Sequence, residues 1–468
     1  MSERASRHAW IASDNLTSVI WRLALPMVVQ QLFMDLLTMV DMFWVSRIEG
    51  AEVAVAAVTT AATIQNIMMM VGIGITSGTL AMVAHSHGAG DRERGVKAVS
   101  QSIIMALFFG AVIAVVGGTT AVRMFSALNA SPEQISAGKW YLRILMIGSA
   151  GLFLNVVFMA SVRATGDAIT PLVVMAIANV LNLILDPLLI FGLRIRGAQI
   201  LPEMGVAGSG LATVLVQFLA AGIMAWIFFI RGHEHFRLRL RDLTPDLKLM
   251  LRILRIGVFG AGQMLIMNVS ALLLRRLVND FGDEPGAAYG LGLRITMAAM
   301  IPGMGFGMAA ATIVGQNLGA GKPERAEKAG WMVAGAYGAF ALAMTAIFVI
   351  FAPAIAGFYG KKMSPHVVEM TVNVLRWLAA PFVFVAFGMV LNRAMSGAGD
   401  TFSPMLVAAI ALLGVRIPLA HLLAHVLGDA AGVWISVAAS FVLQGALSIG
   451  IYHWGRWKRV GLALGGGH

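Results

Sequence analysis

Three acidic residues fall deep inside apolar runs of this 468-residue chain: Asp35 and Asp41 within residues 16–46, and Asp186 within residues 168–191. An ionised carboxylate at the centre of a bilayer costs roughly 2.5–3.5 kcal/mol even on a lenient insertion scale, so each acid is a functional candidate by default. The chemistry open to such a group is the uptake and release of a proton or a metal cation. Asn179, Asn182 and Asp186 stand at i, i+3 and i+7, which puts three polar side chains on one face of an otherwise apolar helix. That face must meet protein or water. Asp35 lies about 240° of helical turn from Asp41, so it points elsewhere and could meet a cationic ligand directly. The plainer reading of these acids is a buried ion pair with an arginine that fixes helix packing.

Other chemistries are poorly supplied. The chain has no Cys, which excludes disulfides, thiolate metal sites and a thiol nucleophile. His85 and His87 lack a further ligand cluster for zinc, and an exposed loop position is the simpler expectation. His421 and His425 have no acidic neighbour to make a catalytic constellation. The loops Gly88-Ala89-Gly90 and Gly319-Ala320-Gly321 lack the lysine and preceding strand of a phosphate-binding loop, and read as tight turns.

The elements that must position these residues are membrane helices. Hydrophobic residues make up 59% of the chain and charged ones 12%, with a mean hydropathy of +0.82, whereas soluble domains hold about 45–50% apolar residues. Apolar runs lie at about 16–46, 52–84, 95–121, 134–163, 168–191 and 206–231, then at 247–281, 286–316, 325–352, 366–396, 402–425 and 430–455. Each suffices for the roughly 20 residues that a span requires. Helices are the form lipid permits here, since no alternating ten-residue barrel pattern exists. The expectation is an all-α membrane protein of 12 transmembrane helices. Residues 16–231 would form an N-lobe and 247–455 a C-lobe, joined by a linker, 232–246, and flanked by segments 1–15 and 456–468.

The net charge of +11 belongs to membrane topology rather than to nucleic acid, because the basic residues lie between apolar runs. Even-numbered connections and the termini hold Arg4, Arg7, Arg92, Arg94, Lys97, Arg163, Arg231, Arg237, Arg239, Arg241, Lys248, Lys322, Arg325, Lys328, Arg456, Lys458 and Arg459. Odd-numbered ones offer mainly Arg47, Arg123, Lys139, Arg194, Arg196, Lys361 and Lys362. The bias places both termini in the cytoplasm. The polar start, Met1 to Asn15, leads into a run too long for a signal peptide and is expected to be retained. Arg143, Arg275, Arg276, Arg294, Arg376 and Arg416 are expected to snorkel or to bond carbonyls.

The two halves repeat. His87-Gly88-Ala89-Gly90-Asp91-Arg92-Glu93-Arg94 recurs as Leu318-Gly319-Ala320-Gly321-Lys322-Pro323-Glu324-Arg325, a shift of about 231 residues, and Gly166-Asp167 recurs as Gly399-Asp400, about 233 away. Six spans separate the copies, so the halves enter the membrane from the same side. Parallel halves of this kind hold substrate in the cleft between them.

Along nearly its whole length the chain resembles the multidrug and toxic compound extrusion (MATE) family. The residues that carry the likeness are Pro26, Val40-Asp41-Met42-Phe43-Trp44-Val45, the two Gly-Ala-Gly loops, Arg163-Ala164-Thr165-Gly166-Asp167 with Pro171, and Gly315-Gln316-Asn317-Leu318. The resemblance implies two parallel six-helix bundles of the MATE/MOP type and export of small molecules in exchange for protons or sodium ions by alternating access. The sodium-site branch has acids in its seventh and tenth spans. Here those spans offer Gln263 and, near an outer end, Glu369, which points to the DinF-like branch and its first-lobe site. That site maps onto Asp41, Asn182, Asp186 and Thr213, with Tyr141, Asn155 and Asn179 as a supporting network. Two carboxylates close together in low dielectric cannot both stay ionised, so the pair takes up a proton or a metal cation.

Pro26 removes a hydrogen bond within the first span and should act as a hinge there. Gln31, Asp35, Gln263 and Met297 are candidates for the substrate cleft, where methionine surfaces repack around varied ligands. The expected partners are amphipathic or cationic small molecules and the lipids of a bacterial or archaeal cytoplasmic membrane, with no nucleic acid, no cofactor beyond the coupling ion, and a monomeric chain. The rival reading within the same superfamily is a flippase of lipid-linked saccharides or an exporter of one metabolite.

Overall fold

A computed structural model describes residues 10–48, 50–195, 198–232, 237–361 and 363–465. Arg4, Arg7, Arg196 and Lys362 of the charge pattern lie outside the described residues, as do most of the 1–15 segment and the end of 456–468. The apolar runs fold as helices α1 (Leu16–Val45), α2 (Ala51–Gly88), α3 (Arg92–Ala127), α4 (Pro132–Ile147 and Ser149–Ala164), α5 (Ile169–Ile190) and α6 (Val206–Arg231), then α7 (Leu247–Asn279), α8 (Asp283–Gly319), α9 (Pro323–Tyr359), α10 (Pro365–Ala379 and Phe382–Gly397), α11 (Phe402–Leu427) and α12 (Ala431–Trp454). Ten are long and apolar enough to cross a membrane unbroken, and α4 and α10 bring the number to twelve as bent spans.

Both bent spans turn by 50°. In α10 the break falls at Pro381, which cannot donate to the preceding turn. The carbonyl of Ala379 is bonded instead by Thr345 Oγ1 of α9, at 3.0 Å. In α4 the break falls at Gly148, and Ser149 Oγ donates to Gly110 O of α3 at 3.0 Å. Side-chain hydroxyls thus tie each bend to a neighbouring helix. One departure from an all-α chain is a short antiparallel pair, Leu193–Ile195 with Ala198–Leu201, between α5 and α6.

The repeat seen in the sequence is a repeat of backbone geometry. Gly90 and Gly321 adopt φ of +71° and +70°. Each closes its helix with the same bonds, Asp91 N to Ser86 O at 2.9 Å and Lys322 N to Asn317 O at 2.8 Å. This left-handed cap is open to glycine at little cost. Asp167 and Asp400 begin α5 and α11 alike. Their carboxylates accept from Thr170 N at 2.9 Å and Ser403 N at 3.1 Å, and from the hydroxyls of the same two residues.

The compact units differ from the expected lobes. One comprises Val29–Gly257, the other Met1–Val28 with Val258–His468. Residues 16–28 therefore pack with the second half, and residues 237–257 with the first. The cause is close backbone approach that only glycine permits. Gly74 and Gly78 of α2 receive Gly257 and Ile253 of α7, and Gly305 of α8 faces Val28 of α1, whose N lies 2.6 Å from where a Cβ would stand. Gln101 binds the linker from both sides, donating to Thr244 O and accepting from Asp246 N, each at 2.8 Å. His85, expected in an exposed loop, is buried within α2, and His87 also lies inside that helix.

Gly257→Val should separate α7 from α2 and cost about 1–3 kcal/mol through overpacking. Thermal unfolding of the purified protein in detergent should show a lower midpoint, while Gly118→Val, where nothing lies within 4 Å, should leave it unchanged.

Candidate functional site

The two deepest acids of the first unit converge on one amide. Asn182 Nδ2 donates to Asp41 Oδ1 at 2.6 Å and to Asp186 Oδ2 at 2.7 Å, so both its protons are committed. Asp41 and Asp186 are close enough to hydrogen-bond each other, and Thr213 reaches Asp41. Asn182 and Asp186 are wholly buried. Tyr141, also buried, interacts electrostatically with both carboxyl groups.

Four helices bring these groups together. The i, i+4 spacing of Asn182 and Asp186 stacks them on one face of α5, and α1 supplies Asp41. Glycines on α6 let its neighbours approach. A Cβ on Gly210 would stand 2.9 Å from Tyr141 Cδ2 of α4, and one on Gly208 would strike the backbone of Leu189 in α5. Thr213, one turn beyond Ser209, is carried inward with them. Asn179 does not reach the acids. Its Nδ2 bonds Phe33 O at 2.9 Å and ties α5 to α1. Asn155 Oδ1 is buried without a partner, and Asn155 makes no bond to either acid among the described residues.

The arrangement is rich in acceptors and short of donors. Asn182 Oδ1 and Asp186 Oδ1 are buried and unpartnered. Thr213 spends its own proton on Ser209 O, at 3.0 Å, and so presents only lone pairs to Asp41. Oxygen facing oxygen in a dry interior is repulsive, and one proton or one cation between them relieves it. Hard cations take such oxygen sets. The ion-pair reading fails, because among the described residues no salt bridge holds Asp41 or Asp186. No cluster of three His, Asp or Glu occurs among those residues either.

The remaining candidates stand apart. Asp35 is half-buried, within hydrogen-bonding reach of Gln31 one turn earlier, and outside the Asp41 cluster. Gln263 is half-buried and Met297 exposed, both in the other unit. Pro26 lies in an unbroken α1, two residues before the chain passes from one unit to the other. Ser209 was not singled out by sequence, although its place four residues before Thr213 gives the signal for a hydroxyl bonded one turn back.

Comparison with known proteins gives one concordant result. The MatE family model matches the chain twice, over residues 26–188 and 261–422, once in each half. A probable multidrug resistance protein NorM of Thermotoga maritima is 26% identical over 84% of this chain and 83% of its own. A FAD transporter of Shewanella oneidensis is 24% identical over 69% of this chain and 70% of that protein. A solved MOP superfamily transporter from Pyrococcus furiosus superposes with a TM-score of 0.87 over 98% of both chains at 24% identity, which establishes the shared fold.

Asn182→Leu removes the one amide donor that the half-buried Asp41 and the buried Asp186 share. It should lower stability by about 1–3 kcal/mol, the cost of leaving a buried acceptor unmet, as read by denaturation in detergent, whereas Asn155→Leu should change stability much less.

Proposed function

Because the chain belongs to the MATE family, and is therefore a multi-pass membrane transporter and not an enzyme, we propose that it expels amphipathic or cationic small molecules in exchange for protons or sodium ions. The observation that carries this reading is the shared amide of Asn182, which gathers Asp41 and Asp186 beside the unpartnered oxygens Asn182 Oδ1 and Asp186 Oδ1. A proton or a sodium ion entering there neutralises the cluster. Its departure restores the repulsion, and that difference in energy is available to drive α1, which carries Asp41, against α5 and α6.

In this reading Asp41, Asn182, Asp186 and Thr213 hold the coupling ion, with Tyr141 and Asn179 keeping the helices in place. Pro26 is the hinge of α1. Asp35, Gln31, Gln263 and Met297 are the candidates for contact with substrate, and both termini face the cytoplasm of a monomeric inner-membrane protein. One proton per monovalent cation moves no net charge, so each unit of pH gradient supports about a tenfold substrate gradient, or about 1.4 kcal/mol. A second proton would add about 2.3 kcal/mol per 100 mV of membrane potential.

The similarity to a FAD transporter favours a second reading, export of one metabolite by the same alternating-access device. Substrate range separates the two. A multidrug exporter moves several unrelated dyes.

Ethidium efflux from everted membrane vesicles, driven by an imposed proton or sodium gradient, tests the proposal. Asp41→Asn and Asp186→Asn should each abolish gradient-driven efflux while leaving the protein folded, and Pro26→Ala should slow it. Efflux indifferent to both carboxylate substitutions would exclude this site as the coupling centre.

A further inference from the structure

The second unit holds a buried cation that snorkelling does not explain. Arg275, Arg276, Arg294 and Arg376 are exposed, as expected of interface residues, but Arg416 is only 7% exposed. It ends the π-helical stretch Ala409–Arg416 of α11, and π-turns inside α-helices are rare and frequent at functional sites. Arg416 Nε donates to Ser440 Oγ of α12 at 2.7 Å, and Ser440 gives its own proton to Val437 O at 2.7 Å. The guanidinium carbon stands 4.8 Å from the ring centre of Phe441. Tyr289 of α8, stacked on Trp434 with centroids 5.1 Å apart, interacts with Arg416 electrostatically. Beyond these groups the surroundings are apolar: Ile417, Ala420, Trp434 and Val437 belong to one packed cluster.

Within that setting Arg416 Nη2 is buried and has no acceptor. No carboxylate pairs with the residue among those described. A guanidinium keeps its charge in proteins and has donors only. Burying it unpaired costs more than an aromatic face returns. Ser440 fixes Nε, which leaves the Nη groups as a directed fork, the geometry that takes a carboxylate in two parallel bonds.

The geometry points to an anion site: Arg416, oriented by Ser440 and assisted by the Tyr289 hydroxyl, binds a single negative charge, either a halide or the carboxylate of an organic molecule. The site stands on these contacts alone and does not depend on the transport reading. Along the chain it lies one residue from the counterpart of Asp186 in the other half. Pro187 and Pro418 are about 231 residues apart, as are Ser209 and Ser440 and the capping glycines Gly90 and Gly321. Asp186 directly precedes Pro187, and Arg416 stands two residues before Pro418. One duplicated frame thus carries a cation-binding centre in the first unit and an anion-binding centre in the second.

The test is isothermal titration of the purified full-length protein in sulfate buffer with chloride and, separately, with benzoate. At least one should bind saturably with one site per chain, chloride alone identifying a halide site and benzoate alone a carboxylate site. Arg416→Gln should weaken binding by about tenfold or more, with Arg416→Lys weakening it less, since a lysine restores the charge without the fork. Ser440→Ala and Tyr289→Phe, milder changes that keep the fold, should each weaken it by several-fold. Absence of binding by either anion to the wild type, affinity unchanged in Arg416→Gln, or affinity unchanged in both milder variants would overturn the assignment.

Discussion

A bilayer offers a buried polar group no water to bond, and the protein must supply every partner itself. At the candidate site that constraint is met by one amide, since Asn182 Nδ2 serves Asp41 and Asp186 at once. The glycines of α6 draw α4 and α5 close enough for Tyr141 and Thr213 to join, and Asn179 fixes α5 to the backbone of α1. Donors in the cluster are fewer than acceptors, and in the proposed reading an added positive charge relieves the repulsion that this leaves. A transporter needs such a difference, because an ion can shift a conformational equilibrium only by binding one state better than the other.

Much of this was legible in the sequence, and the reasons are physical. Spans announce themselves because lipid demands long apolar runs, and all twelve lie within several residues of the observed helices. The repeat was readable because helix ends depend on residue type: the left-handed turns at Gly90 and Gly321 are cheap only for glycine, and the carboxylates of Asp167 and Asp400 accept from the first backbone N–H groups of the helices that follow. The acids were found because their burial is costly. What stayed hidden depends on approach in three dimensions. Neither the division of the chain at Val28 and Gly257 nor the burial of His85 leaves a periodic mark. The break at Gly148 gives no signal, unlike that at Pro381, since glycine occurs throughout straight helices here. Arg416 was misread because a sequence shows where a charge lies along a helix and not whether its head can reach water.

The halves agree where folding requires it and differ where chemistry is free to vary. Their helix ends are built with the same bonds at nearly the same lengths, and both fourth-span counterparts bend by the same angle. Between those ends the first half buries carboxylates and the second a guanidinium. The frame tolerates opposite charges because its stability rests on caps and close glycine contacts rather than on the polar centres.

The passage of α1 from one unit to the other constrains how the protein is made. Ile11, Val19, Leu23 and Met27 are buried, Lys322 binds Ala12 O at 2.9 Å, and Trp21 packs edge-on against Phe306 at 5.8 Å. These partners emerge from the ribosome long after the segment that needs them. Residues 16–28 must therefore wait in the membrane, already inserted but unpacked, until α8 and α9 arrive, while the helices between α1 and α7 can assemble meanwhile. A stretch synthesised before residues 29–257 is thus among the last to find its native neighbours, so this segment is where a chaperone would make itself felt.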